Sequence, residues 1–221
     1  MALGQPPIYF ALVSDLRLQL DPELATVLNE ALDVEGKIVR ALDSLGPIGG
    51  RDVVVVGGGP NEGRRLEAAG ARLTGVDPLA PDRNAGWALP NASADAIVAA
   101  WSAFRGVEDG ELAEADRVLR PGGRLLVLHD YGRDDVSRLR GDQPEYSLWS
   151  RRDGPFLSAG FRIRVLHCFW TFESIDVARR FLGACFGDVG KAFAEQLRRP
   201  RLSYNVALYH RTRGDTPARP G

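Results

Sequence analysis

Cysteine is nearly missing: Cys168 and Cys185 are the only two, and no spacing repeats. A disulfide framework is therefore not expected to stabilise this chain. Histidine is almost as scarce, at three residues, so no constellation with metal-ligand spacing emerges. Lysine occurs only at Lys37 and Lys191, and every other basic residue is arginine. We read that bias as codon usage of a GC-rich genome. The formal net charge is −1, so no global field recruits nucleic acid or an anionic membrane. No apolar run approaches the roughly 20 residues that span a bilayer. The first residues also lack the charged-then-apolar layout of a secretory signal. A soluble cytoplasmic protein is the expectation.

What is present suffices for one sizeable core, with 44% hydrophobic residues over 221 positions. One domain is expected over 1–221. Residues 1–50 form a helical lead-in, 51–211 an α/β core, and 212–221 a tail with little apolar content. In the lead-in, Asp21-Pro22-Glu23 supplies an N-cap, a proline at the first helical position and an acid in the first turn. Leu24, Val27, Leu28, Ala31 and Leu32 then recur with helical spacing. A second helical run carries Ile38, Val39, Leu42 and Leu45 and stops at Gly46-Pro47.

From there strands and helices alternate. Val53–Val56, Arg72–Val76, Ala94–Ala99 and Arg124–Leu128 read as strands; Glu62–Ala69 and Glu108–Leu119 read as helices. Pro121-Gly122-Gly123 reads as a turn. This rhythm predicts a parallel sheet covered on both faces. Later, Phe161–Phe169 and Ser203–His210 read as strands and Glu173–Phe186 as a helix.

The stretch VVVVGGGPNEG, from Val53 to Gly63, ends the first strand in three glycines. Glycines there let the backbone turn sharply and approach a ligand. The helix that follows presents free N–H groups. Asp77 ends the second strand, where a carboxylate can accept hydrogen bonds from ribose hydroxyls. Together they favour nucleoside binding over an ordinary glycine-rich loop. The dinucleotide fingerprint G-x-G-x-x-G is only half met. Gly57 and Gly59 fit, but Glu62 holds the third glycine's place and would repel a pyrophosphate, and Pro60 removes one N–H. A cationic ligand without phosphate, such as S-adenosylmethionine, suits this turn better than NAD or NADP. Arg64 and Arg65 could offset Glu62, although helical geometry turns at least one of them away.

At this point the chain resembles the class I S-adenosylmethionine-dependent methyltransferases over about residues 33–210. Three stretches carry the resemblance: the glycine turn with LTGVDP, ASADAIVAAWSAF, and ELAEADRVLRPGGRLLVLHD from Glu111 to Asp130. The last is the most specific and indicates kinship, not chemistry. The resemblance implies a Rossmann-like, doubly wound, mostly parallel α/β sheet of seven strands, with an antiparallel C-terminal strand pair. By position it implies that the turn Gly57, Gly58, Gly59 faces the methionine and ribose of the cofactor, and Asp77 the ribose hydroxyls. Ala99 to Ser102, with Ala100 and Trp101 foremost, would then lie near the transferred methyl.

Three departures stand out. Val55 occupies the place of the family's acid two residues before the first motif glycine. Asn61 replaces the third glycine, which asparagine's tolerance of the left-handed region makes acceptable. Only 18 positions separate Asp77 from Asp95, too few for a helix, a full third strand and its loop. The third strand is expected to be reduced or absent. Asn84, Trp87 and Leu89 are the candidates to replace its loop beside the adenine; Trp87 stacks on the base or caps the core.

For the chemistry, Ala99-Ala100-Trp101-Ser102 lacks the Asp/Asn-Pro-Pro-aromatic motif of base-modifying amino methyltransferases. A small-molecule acceptor is expected rather than nucleic acid. Arg198-Arg199-Pro200-Arg201 reads as a solvated basic run. Trp101, Phe104 and Trp149 line an acceptor pocket or sit in the core. His129, after the fifth family strand, is either a general base or a hydrogen-bonded histidine at a strand end; His167 is read as structural. The rivals to methyl transfer are a non-catalytic binding or scaffold module of the same fold and an NAD(P)-dependent oxidoreductase.

Overall fold

The computed structural model describes residues 20–57, 60–77, 86–101, 103–141 and 143–214, with backbone alone at 60–62. Helices α1 (Pro22–Ala31) and α2 (Lys37–Leu45) come first. The Asp21 side chain caps α1 by accepting the Leu24 N–H at 2.8 Å. Asp33 does the same for α2 with both oxygens, accepting the Lys37 and Ile38 N–H groups at 2.8 Å each. The core then runs β1 (Asp52–Gly57), α3 (Pro60–Ala68), β2 (Arg72–Val76), β3 (Ala94–Ala100), α4 (Asp109–Val118) and β4 (Leu119–Asp130). Three short helices follow: α5 (Asp135–Arg140), α6 (Pro144–Trp149) and α7 (Pro155–Ser158). Strand β5 (Arg162–Thr171), helix α8 (Ile175–Glu195) and strand β6 (Arg201–Thr212) complete the order.

The described strands form one six-stranded sheet in the order β2-β1-β3-β4-β6-β5. β2, β1, β3 and β4 are mutually parallel, and β6 runs antiparallel between β4 and β5. This is the α/β sheet with an antiparallel terminal pair that the sequence predicts. Among the described residues no further strand occurs in the chain between Val76 and Ala94, and β2 is an edge of the sheet; residues 78–85 lie outside them.

Alternation along the strands divides the core in two. Val53, Val55, Ala96, Val98, Leu126 and Leu128 face the side covered by α1, α2, α3, α5 and α8. Val54, Val56, Ile97, Ala99, Leu125 and Val127 face α4, α6 and α7. The Pro-Gly-Gly turn proves to be an excursion inside β4. Ala94 pairs with Leu119, yet Ala96 pairs with Arg124, so five residue steps on β4 oppose two on β3. A Cβ on Gly123 would meet the Arg120 carbonyl oxygen at 2.9 Å and that of Asp95 at 3.1 Å. Glycine is required there by close approach. Helix α8 is longer than predicted and broken at Gly187 (φ 57°, ψ −135°), where glycine alone is comfortable.

Candidate functional site

The parallel register sets the predicted residues along one edge of the sheet. Gly57 closes β1 with φ +67°, in the left-handed region that glycine tolerates. It pairs with Ala100, and Ala100 pairs with Leu128. Val76 pairs with Val56, so Asp77 leaves β2 beside Gly57 with its side chain exposed. The carboxyl ends of parallel strands are where open α/β sheets bind ligands. α3 begins at Pro60, three positions after Gly57. Gly58, Gly59 and Asn84 lie outside the described residues, as does the side chain of Asn61.

The loop after β3 is strained. Trp101, Phe104 and Val107 have φ of 58°, 57° and 60°, a conformation costing roughly 1–3 kcal/mol for each such residue. Burial and hydrogen bonds hold it: the Trp101 N–H donates to the Leu128 carbonyl at 2.9 Å and the Phe104 N–H to Glu111 at 3.1 Å. Strain of this kind gathers at ligand sites. Trp101 and Phe104 are both buried, but on opposite faces of the sheet, and Trp149 joins Phe104's side. The three therefore do not line a common pocket. The Trp101 indole Nε1 is buried with no acceptor among the described residues.

His129 follows Leu128 in the same row, yet its ring is fully buried. It packs 4.7 Å from Trp149 and 5.8 Å from Phe156, within the rings of α6 and α7. Asp130 turns to the other face. The Tyr204 hydroxyl donates to one of its carboxylate oxygens and the Arg140 guanidinium to the other. Arg140 in turn lies over the Tyr146 ring at 5.0 Å. His167 bonds Asn205 across the β5–β6 pair, 2.9 Å from Nδ1 to Oδ1.

Trp87 is half-buried against the α4 side of the core, together with Leu89. A clamp from α4 fixes that segment. Glu114 accepts the Trp87 N–H at 2.6 Å, and Arg117 donates to the Trp87 and Leu89 carbonyls at 3.1 and 2.8 Å. The Arg117 guanidinium beside Glu114 holds that carboxyl below the usual range. A Cβ on Gly86 would meet Glu114 at 2.9 Å. Neither clamp residue was singled out by sequence; the only signal was an i, i+3 acid–arginine pair, common on any helix.

Two of the doubtful residues are now placed. Arg65 donates to the Leu32 carbonyl at 2.6 Å, so it ties α3 to the end of α1 instead of serving the glycine turn. Val55 is buried in the core between Gly75 and Val98. Among the described residues no group of three or more His, Cys, Asp or Glu is placed to hold a metal, and no helix is long and apolar enough to cross a membrane.

The strand order with its reversed sixth strand, and Gly57 and Asp77 at neighbouring strand ends, meet in one architecture. The chain has the fold of class I methyltransferases. A candidate type II methyltransferase from Anaeromyxobacter dehalogenans superposes with a TM-score of 0.53 at 21% identity, over 82% of this chain and 96% of that one. A candidate methyltransferase from an antibiotic biosynthesis pathway of Anabaena variabilis gives 0.49 at 12% identity, over 82% and 98%. No protein-family model and no curated protein matches by sequence. In this methyltransferase fold, β3 and β4 correspond to the family's fourth and fifth strands.

Proposed function

We propose that the chain transfers a methyl group from S-adenosylmethionine to a small-molecule acceptor. The observation that carries this reading is the juxtaposition of Gly57 and Asp77, on neighbouring strand ends beside the strained loop at Trp101. The turn from Gly57 to Gly59 would admit the amino-acid end of the cofactor, and the Asp77 carboxylate would accept its ribose hydroxyls. Ala100, at the adjoining strand end, is fully buried and pairs with Gly57. The bound cofactor supplies an electrophilic methyl group on a sulfonium. With His129 enclosed by aromatic rings, we assign to this chain alignment and exclusion of water rather than proton removal. An acceptor that reacts without losing a proton to the protein, such as an amine entering uncharged, fits that assignment. Glu62 near the helix start argues against a pyrophosphate, hence against NAD or NADP.

One observation favours a second reading. Val55 packs in the core, where the family carries an acid for the cofactor's amino group. That motivates a module of the same fold that binds without catalysis.

Calorimetric titration with S-adenosylmethionine, S-adenosylhomocysteine, NAD and NADP separates the readings. Micromolar binding of the first pair alone is expected. Asp77→Ala should weaken it by about 1–3 kcal/mol, the loss of a charged hydrogen-bond partner. Binding of the dinucleotides instead would transfer the site to an oxidoreductase, and binding by none would leave the non-catalytic module.

A further inference from the structure

Among the described residues β5 ends the sheet on the side opposite β2, and they cover its outer edge only in part. Its outward backbone is met near the carboxyl end by the chain's own loop between α1 and α2. The Asp33 N–H donates to the Phe169 carbonyl at 3.2 Å, and Leu32 bridges to Trp170. The Lys37 ammonium then caps the His167 carbonyl at 2.7 Å. Strand alternation puts Val165 and Ile163 next in that outward row. Among the described residues, no backbone group outside the sheet ladder bonds to either.

There α2 stands away from the strand and opens a groove of about 430 Å³. Lys37, Arg40 and Ala41 line its helix side, and Arg164 to His167 its strand side. Its cations hydrogen-bond neutral oxygens: Lys37 the His167 carbonyl, Arg40 the Glu35 carbonyl at 2.6 Å, and Arg164 the Ser44 hydroxyl at 2.9 Å. The Glu35 carboxylate is 4.0 Å from Lys37 and is shared with Arg201 at 3.3 Å. Among the described residues, positive charge is thus in excess in this groove, and outward ladder positions at Ile163 and Val165 stand unpaired.

We propose that this groove captures an acidic, extended segment of a partner protein, which adds to β5 as a strand where residues 32–33 leave off. Main-chain hydrogen bonds to Ile163 and Val165 would fix it, and Asp or Glu side chains on the groove side would meet Lys37, Arg40 and Arg164. The stretch from Arg162 to His167 has room for about five residues at about 3.3 Å each. A second copy of this chain fits poorly, because pairing two β5 edges sets Arg162 and Arg164 of one against those of the other. Nucleic acid would use the charge but not the row of N–H and C=O groups.

The test is an NMR titration of the intact protein with an acetylated octapeptide of alternating Glu and Val. Controls are the Gln-for-Glu peptide, the same Glu peptide N-methylated at alternate residues, and a 12-nucleotide oligothymidine. The Glu peptide should shift the amides of residues 162–167 to saturation. The Gln peptide, and the Glu peptide against an Arg40→Glu/Arg164→Glu double variant, should bind at least tenfold more weakly. These exposed charge reversals should leave the far-UV spectrum and Tm unchanged. N-methylation should abolish binding. No shift at 162–167 with millimolar peptide would overturn the proposal. So would equal binding of the N-methylated peptide, which would mean charge alone, or tighter binding of the oligothymidine at the same amides.

Discussion

Asp130 illustrates how one side chain can fix a strand end. Its carboxylate is buried at the carboxyl end of β4 and held from both sides, by Tyr204 and by Arg140. The ion pair is itself mostly buried, with Arg140 at 11% side-chain exposure. Removing one member strands the other charge in the interior, so Arg140→Ala should destabilise the fold by about 3–5 kcal/mol in urea unfolding. The two cysteines lie at the inert extreme of the same scale. Burial, aided at Cys168 by the nearby Asp33 carboxyl, pushes both thiols up to about 12. At pH 8 their thiolate fraction should be roughly a thousandfold below that of an unperturbed cysteine. Iodoacetamide should therefore leave the native protein unlabelled under conditions that label the urea-unfolded chain; labelling at comparable rates would contradict the burial of Cys168 and the partial burial of Cys185.

Between elements, the Pro-Gly-Gly stretch is where sequence and structure explain each other best. It marks kinship in the sequence, and in the fold it is a tight excursion that lets β4 re-enter register with β3 at Arg124. Gly123→Ala forces a methyl group into backbone oxygens and should cost about 1–3 kcal/mol in urea unfolding, whereas Gly122→Ala meets open space and only the strain of its φ of 77°. The same contrast explains what was legible. β1 and β3 announce themselves as near-continuous apolar runs between glycines and acids, as strands buried on both faces should. α5, α6 and α7 went unread because six, six and four residues are too few to show a helical period. The second half of α8 was lost because Gly187 interrupts the pattern. In the candidate site, Gly57, Asp77 and Ala100 could be read because each sits at a strand end. The Arg117 clamp on Trp87 and the Asp130–Arg140 pair could not, since they join residues whose separation carries no motif.

Across the whole molecule, the amino ends of the four parallel strands are tied by one charged residue from each. Arg72 of β2 bonds Asp52 of β1 at 2.7 Å, and Arg120 of β4 reaches Asp52 at 3.0 Å and Asp95 of β3 at 2.9 Å. The Arg72 and Arg120 guanidinium groups hold the Asp52 carboxyl below its usual range. At Asp95 burial pushes the other way, but the Asp52 N–H and Arg120 outweigh it. Both folded values lie below the unfolded ones. Their stabilisation is therefore complete above the ordinary aspartate pKa of about 3.9 and is lost as pH falls through the lowered values. Arg120→Gln should flatten the loss of urea stability between pH 4 and pH 2; an unchanged acid slope would remove this network from the pH response.

The position of β6 sets a timetable for synthesis. The ribosome delivers β4 and β5 before the strand that belongs between them, so neither can take its native neighbour on that side until residues 201–212 emerge. At about 5–20 residues per second, the 41 positions from 172 to 212 hold β5 in waiting for about 2–8 s. A nascent chain interrupted in that interval carries two bare strand edges, which makes a stop codon near residue 200 a source of aggregation or proteolysis rather than of a shortened folded domain.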